Sequence, residues 1–475
     1  METDRDTGSL HTNPSFHSER TRGAGLRVLV IIQQVFMALF LAGVFTAMPC
    51  RSEPVKVPDE IIYKPSPIPD RIILTPVGDP SRMMAVTWRS DTSAPRGYAQ
   101  IARAEHGPGF VSKALLIPSA TTSLSTETGA AIFHSVIFTD LLPETGYVYR
   151  VGDGLNWSEW FQFKTASDQS APFSFIYLGD SQNDIRSLWS RVIRLAFSKA
   201  PEARFLLHAG DLVNNWWRDV EWGQWFSAGA WLNGSFPSVV TPGNHEYYRN
   251  EGSEASLLTP HWRAQFTLPL NGPPDLEETA YYFDYQGVRI ISLDSNRLLR
   301  RQAEWLSTVL ADNPARWTLV TFHHPIFPSS SNRDYPALRE RWLPVLNNYK
   351  VDLVLQGHEH CYSRSGQQIC QNVAGGTTVQ CATSGTVYVT SISGPKMYDL
   401  HRMDWMVRAA EDTQLFQIIR IDGNTLSYQA FTAAGDLYDR FDLVKPPDGK
   451  PNQLISYPPV MPERLRHPEA LIGIW

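Results

Sequence analysis

The chain has no basic run, and its 42 Lys and Arg are outnumbered by 48 Asp and Glu, a formal net charge of −6. A surface built to hold nucleic acid needs the opposite balance, so no nucleic-acid partner is expected. Cysteine is scarce: Cys50, Cys361, Cys370 and Cys381 are the only four in 475 residues. Cys370 and Cys381 flank a Gly/Thr-rich stretch and could close a small hairpin in an oxidising compartment. Cys361 reads as a buried free thiol, and the sequence alone leaves the pairing open. Polar sparseness and disorder are excluded by what is abundant. Hydrophobic residues make up 43% of the chain, with 15 Trp, which suits packed cores. The length is enough for two domains.

One long apolar run stands out. Residues 1–27 are polar and include Arg20, Arg22 and Arg27, and Val28–Met48 is then almost wholly apolar. That is long enough to span a bilayer, and the arginines favour a cytosolic N-terminal side. No small-x-small cleavage site follows. A signal anchor or signal peptide over 28–48 is expected, a buried core helix being the plainer alternative. A membrane tether through 28–48, or secretion, would place the remainder outside the cytosol, in a periplasmic or extracellular space. Residues 49–69 read as a Pro/Lys-rich linker.

From 70 to 165 short strands alternate with turn signals. Met84, Val86 and Trp88 share one face, as do Tyr147, Tyr149 and Val151. Trp157–Thr165 reads as a last strand. This period-two pattern predicts a small β-sandwich with no cluster of catalytic groups, hence a packing or spacing module. From 172 to 445 the pattern changes to strands alternating with helices, which predicts a layered α/β domain. Ile185, Leu188, Val192 and Leu195 recur at helical spacing, and a Trp-rich helical stretch passes through Trp222, Trp225 and Trp231. Residues 446–475 carry seven prolines and read as an extended tail.

The strands end in a recurrent way. Phe173–Leu178 ends in Gly179-Asp180, and Phe205–Leu207 in His208-Ala209-Gly210-Asp211. Val239–Val240 leads to Gly243-Asn244-His245-Glu246, and Trp317–Phe322 to His323-His324-Pro325. Val351–Leu355 leads to Gly357-His358-Glu359-His360. In layered α/β domains ligands bind at the carboxyl ends of strands. Spacing of two puts His358 and His360 on one face of an extended segment. They fit metal ligands, though such pairs also occur as ordinary polar residues at strand ends. Gly243 and Gly357 read as turn residues.

These five segments, in this order, resemble the calcineurin-like metallophosphoesterases, and within them the purple acid phosphatases. PDRIILTPVGDP, AVTWRSDTS, LLPETGYVYRVGDG and WSEWFQFKT are similar to that family's fibronectin-III-like N-terminal domain. GTVYVTSISGPKMY is similar to bacterial members. The implied fold is a layered αββα metallophosphoesterase domain behind a small all-β domain and an N-terminal hydrophobic segment. The implied site holds two metal ions (Fe, Mn or Zn). Asp180 and His360 would hold the first, Asp211 would bridge both, and Asn244, His323 and His358 would hold the second. His245 would protonate the leaving group or stabilise phosphoryl oxygens. The implied reaction is hydrolysis of a phosphate-ester substrate, a phosphoric monoester, by metal-bound hydroxide. A phosphodiesterase or nucleotide hydrolase on the same centre, or a non-catalytic cell-surface binding protein on a decayed fold, are the alternatives.

The sequence departs from the family twice. The tyrosine expected three residues after the bridging aspartate is Asn214. The superfamily histidine expected two residues after the first aspartate is Gln182. Gln182 and Asn214 are left as weak ligands or as groups reaching the metals through water, and a divalent pair is favoured. The family's outer histidines after the fourth motif have no equivalent; Asn332 and Arg333 lie there. Oligomeric state is not readable from the sequence.

Overall fold

The computed structural model describes residues 55–250, 255–330, 333–370, 381–447 and 450–466. The apolar run Val28–Met48 and Cys50 lie outside them. No helix among the described residues is long and apolar enough to cross a membrane. From Pro58 onward the chain belongs to one compact unit.

Eight strands form the front domain: β1 Asp70–Thr75, β2 Met84–Asp91, β3 Tyr98–Arg103, β4 Leu115–Pro118, β5 Ala120–Thr126, β6 Gly129–Phe138, β7 Gly146–Gly152 and β8 Phe161–Lys164. They pair in the orders β1-β2-β6-β5 and β4-β3-β7-β8. Val86 and Trp88 of one sheet meet Ile101, Tyr149 and Val151 of the other in a shared core, so the expected alternation builds the sandwich. The opposite face of β2 is not solvated. Thr87 and Arg89 are buried there, against Thr267 (3.2 Å) and Asp219 (2.9 Å) of the following domain. The last strand is shorter than expected: Trp157 makes only an isolated bridge to Gly152 before β8 begins.

The second domain contains β9 Phe173–Leu178, β10 Leu206–His208, β11 Ser238–Val240, the hairpin β12 Tyr247–Arg249 and β13 Ser256–Leu258, β14 Tyr281–Tyr285, β15 Val288–Ser292, β16 Trp317–Thr321, β17 Leu353–Gln356, β18 Tyr362–Cys370, β19 Cys381–Thr390, β20 Met406–Ala410, β21 Leu415–Asp422, β22 Thr425–Thr432, β23 Leu437–Val444 and β24 Gln453–Ser456. Two seven-stranded sheets result, ordered β11-β10-β9-β21-β22-β23-β24 and β14-β15-β16-β17-β19-β18-β20. Successive residues of a strand point to opposite faces, and the cores follow that rule. Ile290, Leu319 and Leu353 fill the space between the sheets. Their neighbours Ile291, Val320 and Val354 pack outward with Leu306 and Trp342 of the helices Leu299–Ala311 and Pro336–Asn348. Helix Ser190–Lys199 covers the other sheet and joins its Val192, Ile193 and Ala196 to the same large core cluster. The expected αββα layering is what the chain forms.

Two local expectations need correction. Trp189 N–H reaches Asp184 O (3.4 Å), five residues back, so one wide turn precedes the helix and shifts its face by a residue. Leu188 is consequently exposed (40%) and Trp189 takes the buried position (0%). The Pro-rich tail, read as extended and without a strand period, contains a strand. Gln453–Ser456 pairs antiparallel with β23 and closes the edge of its sheet.

Candidate metal centre

The parallel strands β9, β10 and β11 of one sheet and β15, β16 and β17 of the other deliver their carboxyl ends to one place. Asp180, Asp211, Asn244, His323, His358 and His360 all follow such ends. Four of these residues need an unusual backbone. Asp180 (φ 37°), Asp211 (φ 50°), His358 (φ 75°) and His360 (φ 50°) are left-handed, a conformation uncommon for residues with a Cβ and enriched for Asp and His. The strained turns swing each side chain off its strand direction. Gly357 and Gly243 serve by lacking a side chain rather than by their turn conformation. A Cβ on Gly357 would collide with Asp180 Oδ2, and one on Gly243 with Asp211 Oδ1.

Two groups of side chains result. The ligand atoms of Asp211, His323 and His358 lie within 4.8 Å of one another, as do those of Asp180, Asp211 and His360. Asp211 belongs to both. His323 Nε2 is 3.1 Å from Asp211 Oδ2, 3.2 Å from Asn244 Oδ1 and 3.1 Å from His358 Nδ1. His360 Nε2 is 3.5 Å from Asp180 Oδ1. The back of each ring is tied to a carbonyl: His323 Nδ1 donates to Ala209 O (2.9 Å) and His360 Nδ1 to Lys396 O (2.9 Å). A neutral imidazole that donates from Nδ1 presents a lone pair at Nε2. Both lone pairs therefore face carboxylate and amide oxygens, an arrangement that calls for a cation between them.

The charge balance agrees. Burial opposes charge on both carboxylates, yet the imidazoles of His323, His245 and His358 hold Asp211 well below the ordinary range. Asp180, buried beside it, is pushed up. Burial also opposes an imidazolium at His323, but Asp211 and Asp180 push it up to about 9. Positive charge is favoured at His323, whether a proton or a metal supplies it, while burial keeps His358 and His360 neutral. Carboxylate, imidazole and amide oxygen are donors that suit divalent first-row metals, so the residues present fit a two-metal centre.

Gln182 stands where the superfamily has histidine. Its Nε2 is 3.0 Å from Asp211 Oδ2 and 2.8 Å from His360 Nε2, while its Oε1 is buried with no partner. Turning the amide over would put that oxygen on the same point, among acceptors, which again suits a cation. The side chain of Asn214 is not drawn into either group. It lines an adjoining polar cavity of about 540 Å³, with Asn183, Arg186, Arg218 and Glu221, and its carbonyl accepts His245 Nδ1–H (2.5 Å). The free Nε2 of His245 is 3.9 Å from Asp211 Oδ2. His324 bonds Ser295 Oγ (2.8 Å) and packs edgewise on His323.

Several residues escaped the sequence reading. Glu246, the last residue of Gly-Asn-His-Glu, is fully buried. Its carboxylate accepts the N–H groups of Asp211 (3.0 Å), Leu212 (2.8 Å) and Gly243 (2.7 Å), stapling two site loops together. Burial and the nearby Asp211 push it up to about 8. Arg333 and Tyr335 close over His358: Arg333 Nη2 is 2.6 Å from its Nε2 and 2.9 Å from its carbonyl, and Tyr335 Oη contacts the same Nε2. Tyr398 stacks on His360 at 4.3 Å. Glu246 and Tyr398 had a signal in the sequence, each standing in a quoted motif, and Arg333 lies where the family's outer histidines were sought; Tyr335 had none.

Comparison with known proteins bears on the whole arrangement. The calcineurin-like phosphoesterase family matches residues 173–362, and the purple acid phosphatase N-terminal domain matches residues 69–165. Residues 173–362 therefore form a calcineurin-like phosphoesterase domain behind a purple acid phosphatase N-terminal domain at residues 69–165, and the purple acid phosphatase family uses a dinuclear metal centre. Its relatives include acid phosphatase type 7 of Danio rerio, 30% identical over 49% of this chain and 57% of that protein. Purple acid phosphatase 23 of Arabidopsis thaliana is 26% identical over 50% of this chain and 58% of that protein. The chain thus covers under two thirds of these relatives. A purple acid phosphatase from yellow lupin (Lupinus luteus) seeds shares the fold, with a TM-score of 0.68 over 80% of this chain and 75% of that one, at 19% identity. The class of the protein is therefore a purple acid phosphatase-like metallophosphoesterase with the front domain of that family.

Proposed function

We propose that the chain hydrolyses phosphate monoesters on two divalent metal ions. Asp180, Asp211 and His360 would hold one ion, and Asp211, Asn244, His323 and His358 the other. When bound, such a pair supplies charge neutralisation at the phosphoryl oxygens and a nucleophile from acidified water. The observation that carries this reading is the single carboxylate of Asp211 shared by two Asp/His groups whose imidazole lone pairs face inward.

The chain's own residues supply the rest. Ala209 O and Lys396 O fix the tautomers of His323 and His360. Glu246 fixes the loop that carries Asp211. His245 holds its Nδ1 proton on Asn214 O, so its Nε2 is the atom free to exchange a proton. As an imidazolium it gives that Nε2 proton to the departing alkoxide oxygen, whose bond to phosphorus is breaking.

We also propose that the protein acts outside the cytosol, tethered or released through Val28–Met48, whose length and preceding arginines support export. Protease accessibility in intact cells tests this second point. For the reaction, metal analysis is paired with turnover of p-nitrophenyl phosphate and bis(p-nitrophenyl) phosphate. Bound metal and faster monoester cleavage are expected. Faster diester cleavage would make the chain a phosphodiesterase, and metal without turnover of either a binding protein.

A further inference from the structure

The loop that carries Asp211 hangs on two glutamates. Five successive backbone N–H groups, from residue 211 to 215, point at carboxylate oxygens. Glu246 takes those of Asp211, Leu212 and Val213 (3.0, 2.8 and 3.4 Å). Glu221 takes those of Asn214 and Asn215 (2.7 and 2.9 Å), and its other oxygen accepts Asn215 Nδ2–H (2.7 Å). Both glutamates are shielded, with the Glu221 side chain 14% exposed. The cation nearest Glu221, Arg218 Nη1, is 4.0 Å away, beyond hydrogen-bond reach. The loop is therefore the partner that occupies this carboxylate.

Asn214 is where this matters. Its N–H is held by Glu221 and its C=O accepts His245 Nδ1–H at 2.5 Å. Among the described residues no side-chain carboxylate contacts His245 Nδ1; the backbone carbonyl is its tie. A peptide carbonyl is a weak orienter if its loop can turn, because the C=O rotates with the peptide plane. The N–H of that same peptide plane belongs to Asn215, and Glu221 accepts it at 2.9 Å, fixing the plane from its far side. Its helix, Asp219–Gly229, is fixed in turn at its first residue: Asp219 accepts from Arg71 (2.8 Å), Arg89 (2.9 Å) and Thr128 (2.5 Å) of the front domain.

From this chain of contacts we infer that Glu221 is a positioning residue for His245. It holds Asn214 so that Nδ1 stays protonated and Nε2 stays free toward the leaving group. This inference rests on the reading of His245 as proton donor and extends it to a residue outside every motif. Glu221 touches neither substrate nor metal ligand in this scheme. Its effect should appear only where protonation of the leaving group limits the rate.

The experiment compares Glu221→Gln, His245→Ala and the double variant on p-nitrophenyl phosphate and an alkyl phosphate, with metal content and melting temperature measured on each. Glu221→Gln keeps size and one acceptor but sets an amide donor against N–H groups. It is expected to lower kcat for the alkyl ester roughly 10- to 100-fold, the usual scale for an outer partner, with KM and metal content unchanged. The p-nitrophenyl ester, a good leaving group, should lose little. His245→Ala should lower the alkyl rate roughly 10²- to 10⁴-fold, and the double variant should be no worse than that single change. Equal losses on both esters, additive losses in the double variant, or wild-type alkyl turnover by Glu221→Gln with His245→Ala impaired would each overturn the role of Glu221 alone. A His245→Ala enzyme at wild-type rates on both esters would overturn the reading of His245, and this proposal with it. If Glu221→Gln melts early, Glu221→Asp is the control: partial recovery of the alkyl rate at the same metal content is expected, and no recovery overturns the proposal.

Discussion

Arg71 of the front sandwich and Asp219 of the catalytic domain are joined by two hydrogen bonds of 2.8 Å, with both side chains almost fully buried. Arg89 and Thr128 complete the carboxylate's shell. Burial works against the charge on Asp219, but His261, 3.3 Å away, and the two guanidiniums hold it well below the ordinary carboxylate range. Removing one partner of a buried pair leaves the other uncompensated, at a cost of about 3–5 kcal/mol. Asp219→Ala is therefore expected to destabilise the protein by about that amount, measured by urea denaturation. Because the folded acid is depressed, this contribution is present above its unfolded value of 3.8 and is lost only as pH falls through the folded one. A variant within experimental error of wild type would show that the front domain is not fastened here.

Asp211→Asn should abolish turnover and lower the occupancy of both metals, since one carboxylate serves both groups. Plasma emission analysis of the purified variant checks this. Full retention of both metals at normal affinity would mean that Asp211 is not shared.

Asn214 should leave the enzyme colourless. The violet band implied by the family resemblance needs a tyrosinate, and asparagine has no phenolate to donate. Two divalent ions are the expected content, since one fewer anionic ligand compensates less charge. A visible spectrum on protein of measured metal content decides it, and a violet band would refute it.

His134 lies in the front sandwich, stacked on Trp88 at 5.1 Å and bonded to Ser90 Oγ (2.8 Å). Burial pushes its pKa from 6.5 down to about 4. Between those values the unfolded chain binds the extra proton, so stability rises with pH across that window. His134 contributes fully above pH 6.5 and progressively less as pH falls toward about 4. His134→Gln should flatten the stability profile there, and an NMR titration should place the wild-type ring near 4. A midpoint near 6.5 would contradict the burial argument.

Cys370 and Cys381 are directly opposed in the antiparallel register of β18 and β19, while Cys361 is a buried free thiol pushed up by desolvation. Peptide mapping of protein purified without reductant should find Cys370 joined to Cys381. Both thiols free, or either paired with Cys361, would remove the claim.

Strand ends were the legible part of this protein. Each apolar run that stops at Asp, Asn or His became a buried strand with that residue at the shared rim, because side-chain period and burial are local properties. What could not be read depends on backbone groups. Glu221 and Glu246 act through N–H bonds to a loop, and a sequence does not say which N–H groups lack partners. Leu188 was misplaced because one wide turn breaks the helical period without changing composition. The buried outer face of β2 was hidden because Arg89 and Thr87 look like solvent-facing polar residues until a second domain covers them.

The left-handed backbones of Asp180, Asp211, His358 and His360 set this site against the stability of its own scaffold. Each such residue costs about 1–3 kcal/mol that a glycine would largely avoid. Directed evolution for heat resistance alone should drift toward glycine or asparagine at these positions, shedding the site while the fold improves. Only selection that also scores turnover would keep all four in place.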